Sequence, residues 1–343
     1  MIPSAALLSA FTLVAGLANA ETTLSFLVDN GAGSVAAAEA LAAAYSAENP
    51  DIKIEIEQRP GGADGDNIIK TRLATGEMSD VFLYNSGSLF QAMKPTDTLA
   101  DLTDLPNQAN VLDSFKTVVA GTDGKVCGIP IGTAMGGGIL YNKKIYADLG
   151  LMVPKTWVEF MANTEKIKAA GKTAVIQTYK DTWTSQLFVL GDYFNVNATV
   201  PAFAADYTAN KARYASPPAA MGGFQNLQDM FMAGYLNADF GAATFDDGVK
   251  MVATGEGAHY PMLTFAVANL KQNYPDNISD VGFVAQPGDD AAKNGLTVWM
   301  PAGLYVPKNS ANLDAAKAFV NWVATVKGCD LQTKANGATG PVW

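Results

Sequence analysis

Residues 23–57, TLSFLVDNGAGSVAAAEALAAAYSAENPDIKIEIE, decide the fold. Thr23 to Val28 is a short β-branched and apolar run and reads as a strand. Asp29-Asn30-Gly31-Ala32-Gly33 follows as a loop. Ser34 is placed to cap a helix running to about Glu48, with Val35, Ala38, Leu41, Ala42 and Tyr45 on one face. Asn49-Pro50 stops it. From Asp51 to Glu57, Ile52, Ile54 and Ile56 alternate with Lys53, Glu55 and Glu57, the period-two pattern of a half-buried strand. Strand, helix and strand in this order form a right-handed βαβ unit. Ligands of such sheets bind outside the carboxyl ends of the strands, which is where the Asp29–Gly33 loop lies.

The alternation continues downstream. Asp66 to Gly76 reads as a helix, and Asp80 to Tyr84 as a third strand ending in the polar loop Asn85-Ser86-Gly87-Ser88. Gly124-Lys125 turns into the apolar run Val126 to Ile131. Gly136-Gly137-Gly138 leads into Ile139-Leu140-Tyr141-Asn142. No Lys-Ser/Thr follows these glycines as a phosphate loop requires, so they read as a flexible crossing. Thr156 and Glu159 make a capping box around Trp157. Ala174 to Thr178, Ala258 to Met262, Val281 to Ala285 and Thr297 to Val306 read as strands. Residues 218–234, 244–254 and 314–326 read as helices. The fold class is α/β.

Composition narrows the function. Ile2 to Ala20 carries no charge, Ala5 to Leu17 has the length of a signal-peptide core, and Ala18-Asn19-Ala20 supplies a small-x-small cleavage pattern. Cleavage after Ala20 would place the mature protein in the periplasm. No Lys or Arg precedes the apolar run, so either the N-terminal amine acts alone or the true start lies upstream. The net charge of −10 argues against a nucleic-acid partner. Two cysteines far apart, Cys127 and Cys329, read as separate small residues rather than a disulfide framework. A single histidine, His259, sits in an apolar run and reads as buried and structural. It leaves little room for His-based catalysis or metal binding, so neither catalysis, metal nor cofactor is expected. A glycosidase would need two carboxylates about 5–10 Å apart, and no pair in the sequence suggests one.

The order of several short motifs resembles family 1 extracellular solute-binding proteins, the maltose-binding-like, carbohydrate-binding group that serves ABC importers. The motifs are Glu77-Met78-Ser79-Asp80-Val81-Phe82, Gly124-Lys125-Val126-Cys127-Gly128-Ile129-Pro130, Leu140-Tyr141-Asn142-Lys143, Pro154-Lys155-Thr156-Trp157-Val158-Glu159-Phe160, Gly255-Glu256-Gly257-Ala258 and Leu313-Asp314-Ala315-Ala316-Lys317-Ala318-Phe319. Ser79 stands where the family has proline, and Cys127 where it has an aromatic residue. The resemblance implies a two-lobed periplasmic-binding-protein-like fold of type II, each lobe a mixed sheet flanked by helices, joined by crossing strands and closing by a hinge. It implies crossings near Ile131–Gly137, Gln286 and Lys327. Residues 21–131 with 286–327 then form the N-terminal lobe, and 132–285 with 328–343 the C-terminal lobe. Because the family runs on past the equivalent of Gly340-Pro341-Val342, the C-terminal lobe is expected to be truncated. The implied partners are a small-molecule solute and the membrane permease subunits of an ABC importer, with the protein itself a monomer.

Sugar sites combine aromatic faces, which cover C–H surfaces, with planar polar side chains that bind hydroxyls. The loops at strand ends hold Asp29, Asn30, Asn85, Ser86, Asp181 and Trp183, with no Arg among them. That favours a neutral sugar or polyol over an anion, while Lys180 leaves an acidic sugar open. Thr133 at a crossing, Tyr260 and Thr264 around a second-lobe strand end, and Trp299 near another crossing complete the candidate set. Asp29 and Asn30 equally suit an Asx turn, and Trp299 equally suits core packing. Trp157 and Trp322 are assigned to the core. A polyamine or a phosphoester remains an alternative solute in the same fold.

Overall fold

A computed structural model describes residues 21–336; the expected leader, residues 1–20, and the terminal residues 337–343 lie outside the described residues. The described strands are β1 (Thr22–Asp29), β2 (Ile52–Arg59), β3 (Val81–Tyr84), β4 (Gly128–Ile131), β5 (Met135–Asn142), β6 (Thr173–Val175), β7 (Gly257–Leu263), β8 (Val281–Val284), β9 (Thr297–Trp299) and β10 (Ala302–Tyr305). The principal helices are α1 (Ala32–Glu48), α2 (Gly62–Thr75), α3 (Trp157–Ala169), α4 (Phe245–Thr254), α5 (Leu313–Val323) and α6 (Val326–Asn336).

The strands form two mixed sheets. The first has the order β2-β1-β3-β10-β4, with β1 parallel to β2 and β3, and β10 antiparallel to β3 and β4. Alternation along β1 sends side chains to two different cores. Leu24, Phe26 and Val28 pack with Leu41 and Tyr45 of α1 and with Phe319 and Val320 of α5. Leu27 faces the other way, onto Ile69 of α2, Phe90 and Tyr305. The isoleucines of β2 lean on the first of these cores, as their alternation predicts. The N-cap of α1 is Gly31 rather than Ser34. The Ser34 hydroxyl donates instead to Asp29 Oδ2 at 2.9 Å, and Asp29 Oδ1 accepts from the Gly31 N–H at 3.0 Å.

The second sheet has the order β6-β7-β5-β8, with β9 also paired to β5. β8 and β9 share one edge of β5, through Ile139–Asn142 and Met135–Gly137 respectively. β7 is buried along its whole length. His259, within it, is fully buried: its Nδ1 donates to the Ala174 carbonyl at 2.8 Å, and its Nε2 accepts from the Tyr146 hydroxyl at 2.7 Å. The capping box of α3 is formed, and Trp157 stacks on Phe160 at 5.1 Å as a core anchor. Trp322 packs against Tyr45 at 5.4 Å. Cys127 and Cys329 are both free thiols.

The crossings differ from expectation in two places. The first runs from Ile131 at the end of β4 to Met135 at the start of β5, within the expected segment. The second is at Met300-Pro301, not Gln286. The apolar run Thr297–Val306 is two strands: β9 pairs in the second sheet and β10 in the first. Pro301 lacks the N–H that a continuous ladder needs, so the chain changes partners there. Gln286 is buried in the second lobe, where its carbonyl accepts from Asn195 Nδ2. The last helix also changes side. α6 packs along α1, Lys327 pairs with Glu48, and Gln332 Oε1 accepts from the Gly132 N–H of the first crossing at 2.9 Å. Residues 328–336 therefore lie on the N-terminal lobe, because the apolar side of α6, with Leu331, faces that core.

Candidate functional site

The carboxyl ends of β1, β2 and β3 carry the loops that hold the first group of candidate residues. Asn30 is exposed, and its backbone N–H donates to the Arg59 carbonyl at 2.8 Å, tying the first two loops together. Asp29 is committed to the Asx turn described above. Asn85 is exposed at the end of β3, and its carbonyl accepts from the Tyr305 hydroxyl at 3.1 Å. Ser86 stands at the N-cap of the short helix Gly87–Ala92 without a side-chain capping bond.

One residue of this region was missed by the sequence reading. β2 extends to Arg59, which lies beneath the loops, 5% exposed. Its Nη1 donates to the Pro60 carbonyl at 3.0 Å and its Nη2 to the Leu83 carbonyl at 3.2 Å. The guanidinium lies 5.5 Å from the Tyr84 ring centroid, and the Tyr84 hydroxyl donates to Asp66 Oδ1 at 2.8 Å. Burial disfavours the arginine cation and lowers its pKa, while Asp29, Tyr84 and Asp66 oppose that shift. The expectation of loops free of arginine thus holds for their tips and fails for their base. No such signal stood in the sequence: Glu57-Gln58-Arg59 are three polar residues in a row, and Arg59 falls in phase with the solvent-facing Lys53, Glu55 and Glu57.

The second group follows β6 and β7. Trp183 is half-buried and packs with Phe245 at 5.6 Å and Phe265 at 5.9 Å, and these two rings stack on each other at 5.3 Å. Phe245 and Phe265 were not anticipated, although each directly follows a threonine that ends a loop or strand. Asp181 Oδ2 accepts from the Phe245 N–H at 2.6 Å and so fixes the start of α4. Burial raises the pKa of neighbouring Asp246, with the charges of Asp181 and Asp247 adding to it. Thr264 Oγ1 accepts from the Gly136 N–H at 3.1 Å, which pins the end of β7 to the start of β5. Trp299 lies across the backbone of Gly137: a Cβ there would fall 2.1 Å from the indole, so only glycine admits this approach. Thr133 lies half-buried in the first crossing.

Tyr260 does not reach the cleft surface. It is 1% exposed; its hydroxyl bonds Thr178 Oγ1 at 2.9 Å and donates to the Phe245 carbonyl at 3.4 Å. Burial drives its phenol pKa far up. β7 is covered on both faces, so a residue of its interior supports the wall from behind. Among the described residues no helix is long and apolar enough to cross a membrane, and no group of three or more His, Cys, Asp or Glu is placed to hold a metal ion.

The profile of the bacterial extracellular solute-binding protein family matches residues 29–328, from the end of β1 through both crossings. The chain belongs to this family. Its members are the binding components of transporters, not enzymes. The chain is 25% identical over 303 residues to the multiple sugar-binding protein of Streptococcus mutans, covering 86% of this chain and 69% of that protein. Among solved structures, a protein from a study of xylan utilization by Caldanaerobius polysaccharolyticus superimposes with a TM-score of 0.80 at 21% identity, over 93% of this chain and 81% of the other. RafE in complex with raffinose superimposes with a TM-score of 0.76 at 19% identity, over 92% and 81%. These likenesses give the solute-binding protein the two-lobed fold. In this chain the loop after β2 comes up to the Trp183 side of the second lobe: a Cβ on Gly62 would lie 3.9 Å from Trp183 Cδ1.

Proposed function

We propose that the protein captures a neutral sugar or short oligosaccharide between its lobes and hands it to the permease subunits of an ABC importer. The observation that carries the proposal is the aromatic wall of Trp183, Phe245 and Phe265, set across the cleft from loops bearing the exposed amides of Asn30 and Asn85. An aromatic face covers the C–H surface of a pyranose, and amides both donate to and accept from its hydroxyls. Arg59 supports neutrality: both bonded arms of its fork go to backbone carbonyls, and its charge faces Asp29 and Asp66. Its guanidinium is buried beneath the loops rather than displayed at their tips. The names of the relatives, a multiple sugar-binding protein and a raffinose complex, point the same way. The apolar leader-like segment supports export to the periplasm, and a monomer suffices for the task.

The proposed contacts are Asp29, Asn30, Asn85, Ser86, Thr133, Asp181, Trp183, Thr264 and Trp299, with Tyr260 as their support. Isothermal calorimetry against mono- and oligosaccharides, raffinose among them, is expected to give a saturable heat with at least one. Trp183→Ala is expected to weaken that binding at least tenfold, about 1.4 kcal/mol. A flat titration across the panel removes the sugar reading, and wild-type affinity in the variant removes Trp183 from the contacts.

A further inference from the structure

The two loops farthest from the crossings approach each other closely. In the first sheet the crossings leave from β4 and β10, and β2 is the opposite edge. In the second sheet they enter at β5 and β9, and β6 is the opposite edge. The loop after β2 therefore lies roughly 14 Å, three strand spacings, from β10. That loop meets the turn that follows β6. A Cβ built on Gly62 would lie 3.5 Å from Thr182 Oγ1 and 3.9 Å from Trp183 Cδ1, which is ordinary van der Waals contact. Bare glycine backbone thus faces the indole edge across the mouth of the cleft.

Both surfaces are stiff. On the first lobe, Arg59 Nη1 holds the Pro60 carbonyl, and α2 begins at Gly62, whose φ of +64° fits glycine. On the second lobe, Phe245 and Phe265 brace the indole, Thr184 N donates to the Asp181 carbonyl, and Ser185 Oγ donates to the Thr182 carbonyl. Contact between two braced surfaces is made or lost as a unit when lobes swing about a distant hinge.

We propose that Gly62 and the Thr182–Trp183 turn form a latch across the cleft mouth, a close lobe-to-lobe approach that stabilises the closed form and slows escape of the solute. Retention of solute behind the latch rests on the cleft being the solute site, as proposed above; the contact itself does not. Trp183 then has two roles, its edge serving the latch and its ring the aromatic wall.

The test uses the full chain carrying Cys127→Ala and Cys329→Ala, with the pair Gly62→Cys and Thr182→Cys. A control pairs Gly62→Cys with Lys172→Cys, an exposed site just before β6. Under mild oxidation the latch pair is expected to cross-link at least tenfold faster than the control, read by non-reducing electrophoresis; equal rates overturn the proposal. With radiolabelled raffinose as probe, oxidation of the latch pair is expected to slow release at least tenfold, with dithiothreitol restoring it; unchanged release also overturns it. Where the strained φ keeps Gly62→Cys from folding, Thr182→Trp, a wedge in an exposed turn, is expected to speed release at least tenfold, and wild-type release there counts against the latch. Rapid cross-linking in a protein that binds no sugar would leave the contact standing and remove the sugar reading. Sugar binding without cross-linking would do the reverse.

Discussion

Arg59→Met is expected to lower the free energy of unfolding by about 3 kcal/mol and to weaken solute binding as well, although the side chain does not reach the cleft surface. Methionine replaces much of the aliphatic stem, so the loss isolates the guanidinium. That group donates to the Pro60 and Leu83 carbonyls and lies over Tyr84. Hydrogen bonds from charged donors contribute about 1.5–3 kcal/mol each, and the Leu83 carbonyl is left buried without this donor. Asp29 and Asp66 lose the cation they face. Binding suffers because the Pro60 carbonyl and the Asp66–Tyr84 bond shape the loops that present Asn30 and Asn85. Arg59→Lys is expected to fall between the two, since an ammonium keeps the charge but lacks the planar fork that serves two carbonyls. Urea unfolding checks the stability term and calorimetry the affinity. A variant within about 0.5 kcal/mol of wild type, the usual range for an inconsequential substitution, would sink this account of the wall.

Arg59 also shows where sequence reasoning reaches its limit. The βαβ start was legible because two periodicities, 2 and 3.6, follow one another between clear stops, and because β2 is an edge strand with one face to solvent. The second lobe was harder. Every residue of β7 is buried, so no alternation marks which side chains face the cleft, and Tyr260 reads the same whether it lines the wall or supports it. The crossing at Met300-Pro301 was hidden for a related reason. Thr297 to Val306 is one apolar run in sequence, and only pairing shows that its halves belong to different sheets. Pro301 was the single local sign. Among the proposed contacts, Asn85 and Trp183 could be placed at strand ends because polar loops follow apolar strands. Phe245 and Phe265 could not, since an aromatic residue at the head of a helix or in a turn is ordinary core until its neighbours are known. The neighbour that gives Trp183 a second role, Gly62, lies far from it in sequence and carries no side chain to attract notice.

Asp192→Asn is expected to stabilise the protein by about 2 kcal/mol at pH 8 and by nothing measurable at pH 4. Asp192 is 6% exposed, and burial pushes its carboxyl up to about 6; the charge of Asp289 adds to the rise, while bonds from Asn195 Nδ2 and the Gly223 N–H oppose it. A folded pKa above the unfolded value of 3.8 means that the native state binds the extra proton. Its contribution is full below pH 3.8 and is lost as pH rises through about 6, a span of about 3 kcal/mol. Asparagine stays neutral throughout but offers one acceptor oxygen in place of two, so part of that span is recovered. His259 works in the opposite sense. Burial lowers its pKa from 6.5 to about 4, against the bond to the Ala174 carbonyl. Its native form is neutral, so its contribution is full above pH 6.5 and erodes as pH falls toward 4, again by about 3 kcal/mol. In the wild type these two terms oppose each other between pH 4 and 6.5 and leave a shallow dependence. Removing the Asp192 term exposes the other, so Asp192→Asn should lose stability steeply on acidification across that window. Urea unfolding at pH 8, 6 and 4 reads both effects. Equal stabilities at pH 8, or an advantage that grows in acid, would mean that the Asp192 carboxyl is not held neutral by its burial.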